Sequence, residues 1–233
     1  MSELPDPGFD RPKVQALPGT VKPYQRHLFV CTGSTDWPAK IDLGGGYLQA
    51  LSEAISRRAP DMSVRVKLTA CDEASAGPGY DILVFPDAVR YRAVQERDFE
   101  ALVEDHLVGN RVSGRLGHEP LGGRHLFVCV HAARDPRCGA CGPPLVEGFQ
   151  AALRGLGLAG QVVVRGTSHV GGHEYAGNVL IYPGGDWYGY VVPEDIPRIL
   201  EGHLLRGEIV WERWRGRMGL SAEEQLRLAQ AGR

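Results

Sequence analysis

Short apolar runs alternate along the chain with amphipathic stretches, and the order of the two occurs twice. Residues 28–31 and 126–130 are continuous apolar runs of the kind that buried strands show. A polar loop bearing Gly or Pro follows each. Apolar residues then recur at helical spacing: Leu48, Leu51 and Ile55 in the first case, and Leu145, Phe149, Ala152, Leu153 and Leu156 in the second. This spacing lays one apolar stripe along a helix. Strands are predicted next over 64–68 and 162–164, then 82–85 and 179–182, then 89–94 and 187–192. A closing helix carries Phe99, Leu102, Val103 and Leu107 in the first stretch and Ile196, Ile199, Leu200 and Leu204 in the second. Pro193-Glu194-Asp195 gives the latter helix a start that its dipole favours.

The two stretches are copies of one pattern. His27-Leu28-Phe29-Val30-Cys31 recurs as His125-Leu126-Phe127-Val128-Cys129, and Asp81-Ile82-Leu83-Val84-Phe85-Pro86 as Asn178-Val179-Leu180-Ile181-Tyr182-Pro183. The element order in each copy is β-α-β-β-β-α. A β-α-β start requires a parallel pair joined by a crossover, and the closing hairpin adds antiparallel strands. The expected fold class is therefore α/β: two tandem thioredoxin-like units, each a mixed four-stranded sheet flanked by helices. The expected organisation is a flexible arm over 1–22, one unit over 23–115, a second over 116–211, and a tail with a short helix over 212–233. The tail helix is signalled by Ser221-Ala222-Glu223-Glu224, a capping-box pattern. The basic, aromatic segment 211–217 before it reads as a cover for a sheet edge, with a docking surface as the alternative.

Composition narrows the function. Of 233 residues, 43% are hydrophobic and 23% charged, enough for a real core. A formal net charge of -2 argues against a general nucleic-acid surface. No apolar run approaches a membrane span, and residues 1–8 have neither the basic nor the apolar region of a signal peptide. The expectation is a cytoplasmic protein with no nucleic-acid or membrane partner. The five cysteines, Cys31, Cys71, Cys129, Cys138 and Cys141, are odd in number and unevenly spread, which suits metal or redox chemistry better than a disulfide framework.

In the second copy the loop after the first strand holds Cys129-x8-Cys138, and the loop after the second strand holds His169-x3-His173 with Gly171-Gly172 between the imidazoles. Adjacent parallel strands deliver these loops to one end of the sheet. Two thiols and two imidazoles then face each other, a set able to hold zinc or a [2Fe–2S] cluster with mixed ligands. Spacing leaves both open. Cys138-Gly139-Ala140-Cys141 at a helix start is also where a thioredoxin-like unit would carry a reactive dithiol. A thiol-disulfide oxidoreductase is thus a further reading.

These motifs, together with Arg134-Asp135, Ala176-Gly177-Asn178, Pro183-Gly184, Trp187-Tyr188-Gly189, Arg215-Gly216-Arg217-Met218-Gly219-Leu220 and, in the first copy, 31–38, resemble the sucrase/ferredoxin-like family of thioredoxin-like ferredoxins. The resemblance implies a [2Fe–2S] cluster as cofactor, held by Cys129, Cys138, His169 and His173, and an electron carrier or redox sensor serving an unknown redox partner protein. Many relatives have adjacent cysteines in the first loop, whereas this chain has Arg137-Cys138 and then Cys141, so Cys141 stands as the alternative second thiolate.

The first copy offers a contrast. Cys31 matches Cys129, but Lys40 occupies the place of Cys138, and Cys71 and Ser75 the places of the two histidines. That copy is expected to be a structural partner without a cluster, with Cys31 and Cys71 as inert core residues. His27, His106, His125 and His203 are expected as surface or capping groups. His131 is a candidate to orient a ligand, and Arg134 and Asp135 are expected either to pair and fix the ligand loop or simply to be solvated.

Overall fold

The computed structural model describes residues 16–232. The strands are β1 (Arg26–Cys31), β2 (Val66–Cys71), β3 (Tyr80–Phe85), β4 (Val89–Val94), β5 (His118–Pro120), β6 (Arg124–Cys129), β7 (Val162–Thr167), β8 (Val179–Tyr182), β9 (Asp186–Tyr188) and β10 (Trp214–Arg217). The helices are α1 (Gly46–Arg58), α2 (96–108), α3 (Pro136–Gly155), α4 (193–205) and α5 (Ala222–Ala231). Both α2 and α4 open with a 3-10 turn and end in wider π turns.

The fold is a mixed α/β architecture with a thioredoxin-like strand plan in each half. β2-β1-β3-β4 in the first half and β7-β6-β8-β9 in the second have the same order, parallel between the first pair and antiparallel thereafter. Two features differ from the expected separate sheets. Short edge strands, β5 and β10, extend each set to five. An antiparallel junction between β2 and β7, at Cys71 and Thr167, then fuses all ten strands into one sheet. The segment 211–217, expected to cover an edge, contributes β10 and pairs with β9. Ser221 forms the predicted capping box with Glu224 at the start of α5.

Strand alternation sorts the core into faces. Leu28 and Val30 pack under α1 and α2, and Leu126 and Val128 under α3 and α4. Phe29, Cys31, Phe127 and Cys129 point the other way, into a shared cluster with Cys71, Cys138, Phe85 and Tyr182. Phe29 and Phe127 stack with ring centroids 3.7 Å apart, and Phe85 and Tyr182 at 4.4 Å. β1 and β6 are three strands apart in the sheet order, which in a flat sheet would separate them by roughly 14 Å. The sheet must curl so that matching residues of the two halves meet on its concave side.

Two expectations are corrected here. His27, His106 and His125 are fully buried and His203 half-buried, none of them at the surface. His27 and His125 lie two residues before Phe29 and Phe127, so alternation carries them to the concave face. Of the arm expected over 1–22, residues 1–15 lie outside the described residues, but Leu17 and Val21 are buried, and Gly19 donates its N–H to Arg215 O at 3.0 Å.

Candidate metal centre

The site forms where the strand ends of the second half meet the first turn of a helix. Cys129 is the last residue of β6, and its side chain shares the concave face with Phe127. The chain then turns through 130–135 into α3. Asp135 caps that helix by accepting the Arg137 N–H at 3.0 Å, and Pro136 takes the first helical position, where a missing N–H costs nothing. This places Cys138 in the first turn, fully buried. Asp135 also pairs with Arg137 (Nη2 to Oδ2, 2.8 Å) in place of Arg134, and Arg134 is exposed, the solvated alternative for that residue.

His169 follows β7 by two residues, and the first half pins that segment. The Ala70 N–H donates to Ser168 Oγ at 2.9 Å, the Ser168 N–H to Ala70 O at 2.9 Å, and Thr167 Oγ1 to Ala70 O at 2.8 Å. The Gly166 N–H donates to Asp72 Oδ2 at 2.9 Å. Beyond His169 the backbone turns through Gly172 at φ 74 and ψ 50, a left-handed conformation suited to glycine. The buried Arg215 lies beneath it, and a Cβ at 172 would come within 2.8 Å of the guanidinium carbon. Arg215 donates to Asn178 Oδ1 at 2.5 Å and stacks over the Tyr175 ring at 4.3 Å, while Asn178 Nδ2 donates to Gly172 O at 2.9 Å.

The donor atoms of Cys129, Cys138 and His169 lie within 4.8 Å of one another. His173 stands further out, its ring centroid 5.7 Å from that of His169. Cys141 is half-buried and not part of the converging group. The two thiols share one ionisation. Cys138 beside it, aided by His169 and by nearby backbone N–H groups, holds Cys129 well below the usual thiol range against the cost of burial. The Cys129 charge and burial push Cys138 up. The chemistry of this set fits a thiophilic metal or cluster: two sulfurs and the His169 imidazole, whose Nδ1 is buried without a hydrogen-bond partner among the described residues.

His131, the sequence's candidate to orient a ligand, bonds to the backbone of the candidate ligand His169. Its Nδ1 accepts the His169 backbone N–H at 3.0 Å, and its Nε2 donates to Trp37 O, from the first half, at 3.2 Å. In the first half, Cys71 Sγ and Cys31 Sγ are 3.7 Å apart and fully buried, with no third donor grouped with them among the described residues.

The strand order repeated in each half, a parallel pair followed by antiparallel strands, defines the class of protein, a thioredoxin-like one, with a sulfur and imidazole group at the strand ends of the second half. The chain belongs to the sucrase/ferredoxin-like family, whose model matches residues 17–216. Among relatives, altered inheritance of mitochondria protein 32 from Debaryomyces hansenii is 28% identical over 93% of this chain and 90% of its own length. The protein of that name from Clavispora lusitaniae is 26% identical over 86% of this chain and 83% of its own. Actin patches distal protein 1 from Saccharomyces cerevisiae is 30% identical over 55% and 48%. Among solved structures, a thioredoxin-like [2Fe–2S] ferredoxin from Aquifex aeolicus has a TM-score of 0.37 at 30% identity, covering 41% of this chain and 93% of that one. No helix among the described residues is long and apolar enough to cross a membrane.

Proposed function

We propose that the second half binds a [2Fe–2S] cluster through Cys129, Cys138, His169 and His173 and acts as a one-electron carrier for a redox partner protein. One observation carries the reading: Cys129, Cys138 and His169, from three separate elements, bring their donor atoms within 4.8 Å of one another. Such a cluster supplies a one-electron couple when bound. The chain's part is to provide two thiolates and two imidazoles, to fix the His169 backbone through His131, and to hold the 171–172 turn over Arg215. Neutral imidazoles donate less charge than thiolates, so the potential is expected well above that of a four-cysteine ferredoxin. The free thiolates such a site needs favour a reducing compartment such as the cytoplasm.

The oxidoreductase reading fares worse. Its nucleophile would be Cys138, yet that thiol is fully buried and pushed up by Cys129, the reverse of an activated thiol. The test is metal and acid-labile sulfide analysis of anaerobically purified protein, with an absorption spectrum and a redox titration. Equal iron and sulfide, visible colour and a raised potential are expected. Zinc without sulfide would overturn the proposal, as would a potential near about -400 mV.

A further inference from the structure

Two cavities flank His169 where the two halves meet. One, of about 400 Å³, is lined by Lys22, Tyr24, Lys67, Trp187 and Arg215 among others. The other, of about 470 Å³, includes Lys40 and His131 in its wall. Lys67, Arg134 and His169 belong to both. The first cavity has four cations, Lys22, Lys67, Arg134 and Arg215, against one carboxylate, Glu174. The chain as a whole carries a net charge of -2, so this surplus is local. Only four lysines occur in the sequence, and Lys22, Lys40 and Lys67 all face these cavities.

Lys67 is the telling residue. Its ammonium sits 5.8 Å from the Tyr24 ring and 5.6 Å from the Trp187 ring, and it pairs with no carboxylate among the described residues. Burial first, and then repulsion from Arg215 and Lys22, bring it down to about 8 against a smaller opposing pull from Cys129. Arg215 gives its hydrogen bonds to neutral acceptors: Thr20, Asn178 and the Gly171 carbonyl. Elsewhere in this fold sequestered cations are matched: Arg26 with Asp87, Arg90 with Glu73 and Asp81, and Arg165 with Glu73. A half-buried cation with like-charged neighbours, no carboxylate partner among the described residues and only the Cys129 thiol to oppose it is costly. Folds keep such arrangements where a ligand completes them.

We infer that the cleft between the halves, beside His169, binds a small anion carrying phosphate or carboxylate groups, with Lys67 as its central contact and Lys22 and Arg134 at its mouth. This gives the first half a role beyond support, since Lys40 and Lys67 come from it and Lys22 from the segment just before it. The inference does not rest on a cluster: without one, Cys129 offsets the local cations only in part, and an oxidised [2Fe–2S] centre held by two thiolates and two neutral imidazoles has no net charge to offer the lysine.

Calorimetric titration of the full chain with inorganic pyrophosphate and with citrate, each against potassium chloride at equal ionic strength, tests it. Saturable one-to-one binding is expected. Lys67→Met should weaken it roughly tenfold or more, the loss of one sequestered charge contact. Arg154→Met, at an exposed cation on α3, should leave it unchanged. Lys67→Met should also raise the melting temperature in anion-free buffer, because it removes an unmatched charge, so a folding failure would itself contradict the argument. Binding of pyrophosphate alone assigns the phosphate class, of citrate alone the carboxylate class, and of both their shared chemistry. No saturable binding above the chloride control, or equal binding by Lys67→Met, would overturn the inference. The titration is read independently of iron content, so a chain without a cluster leaves it standing.

Discussion

The backbone N–H of His169 donates to Nδ1 of His131 at 3.0 Å. An accepting Nδ1 carries no proton, so the proton of this neutral ring resides on Nε2, which donates to Trp37 O at 3.2 Å. Burial, which lowers the His131 pKa, keeps the ring in that form. One side chain thus ties the candidate ligand loop of the second half to the first loop of the other half. His131→Ala leaves a buried donor and a buried acceptor unmet and should cost about 1–3 kcal/mol of stability. It should also lower iron retention. His131→Asn places an oxygen near the lost Nδ1 and should restore retention while recovering only part of the stability. Chemical denaturation and iron per chain separate the two effects; equal iron loss in both variants would refute the positioning role.

The turn that presents the two imidazoles tolerates side chains unequally. Gly171 and Gly172 both have positive φ, 97 and 74. A Cβ at 171 meets open space, whereas one at 172 meets the Arg215 guanidinium. Gly171→Ala should cost about 1 kcal/mol from backbone strain alone. Gly172→Ala adds a clash with a buried cation held by Asn178, and should cost about 2–4 kcal/mol in total. Thermal melts rank the pair, and the reverse ranking would contradict the clamp.

The cysteines separate by position. Cys138→Ala should lose most bound iron and colour, whereas Cys141→Ala should keep both, because only Cys138 joins Cys129 and His169. Cys31→Ala and Cys71→Ala remove buried thiols from the concave core and should cost about 1–2 kcal/mol each without changing iron content. Iron analysis beside urea denaturation reads both. Retained iron in Cys138→Ala with loss in Cys141→Ala would exchange their roles.

Much of this was legible in the chain because it reports itself locally. The duplicated apolar runs give the strand plan, and strand-end logic brings Cys129 and Cys138 towards His169. What escaped depends on long-range contacts. A single register pair, Cys71 with Thr167, fuses two expected sheets into one, and no local pattern announces it. Arg215, with its Asn178 and Gly172 partners, reads in sequence as part of an edge-covering tail; only the pairing of β10 with β9 carries it beneath the candidate ligand loop. The burial of His27 and His125 did have a signal. Each shares strand parity with a phenylalanine and a cysteine, but a lone histidine beside a strand start usually reads as polar surface.

His125 gives the fold an acid limit. Arg165 Nη1 donates to its Nδ1 at 2.7 Å, and its Nε2 donates to Gly122 O at 3.0 Å, a neutral ring with both nitrogens engaged. Burial first, and the Arg165 charge second, bring its pKa down to about 4. In the unfolded chain it titrates near 6.5. Between those values the unfolded state takes up a proton that the folded state refuses, so acid favours unfolding. The contribution is complete above about pH 6.5 and is lost as pH falls towards 4, amounting to about 2–3 kcal/mol by pH 4.5. Buried His27, also lowered by desolvation, acts in the same direction. His125→Gln keeps an acceptor for Arg165 but cannot take up the proton. Its unfolding free energy should therefore start lower than wild type at pH 7 and converge on it by pH 4.5. Urea denaturation at half-unit pH steps measures this; two parallel curves across that range would show that His125 is not the titrating group.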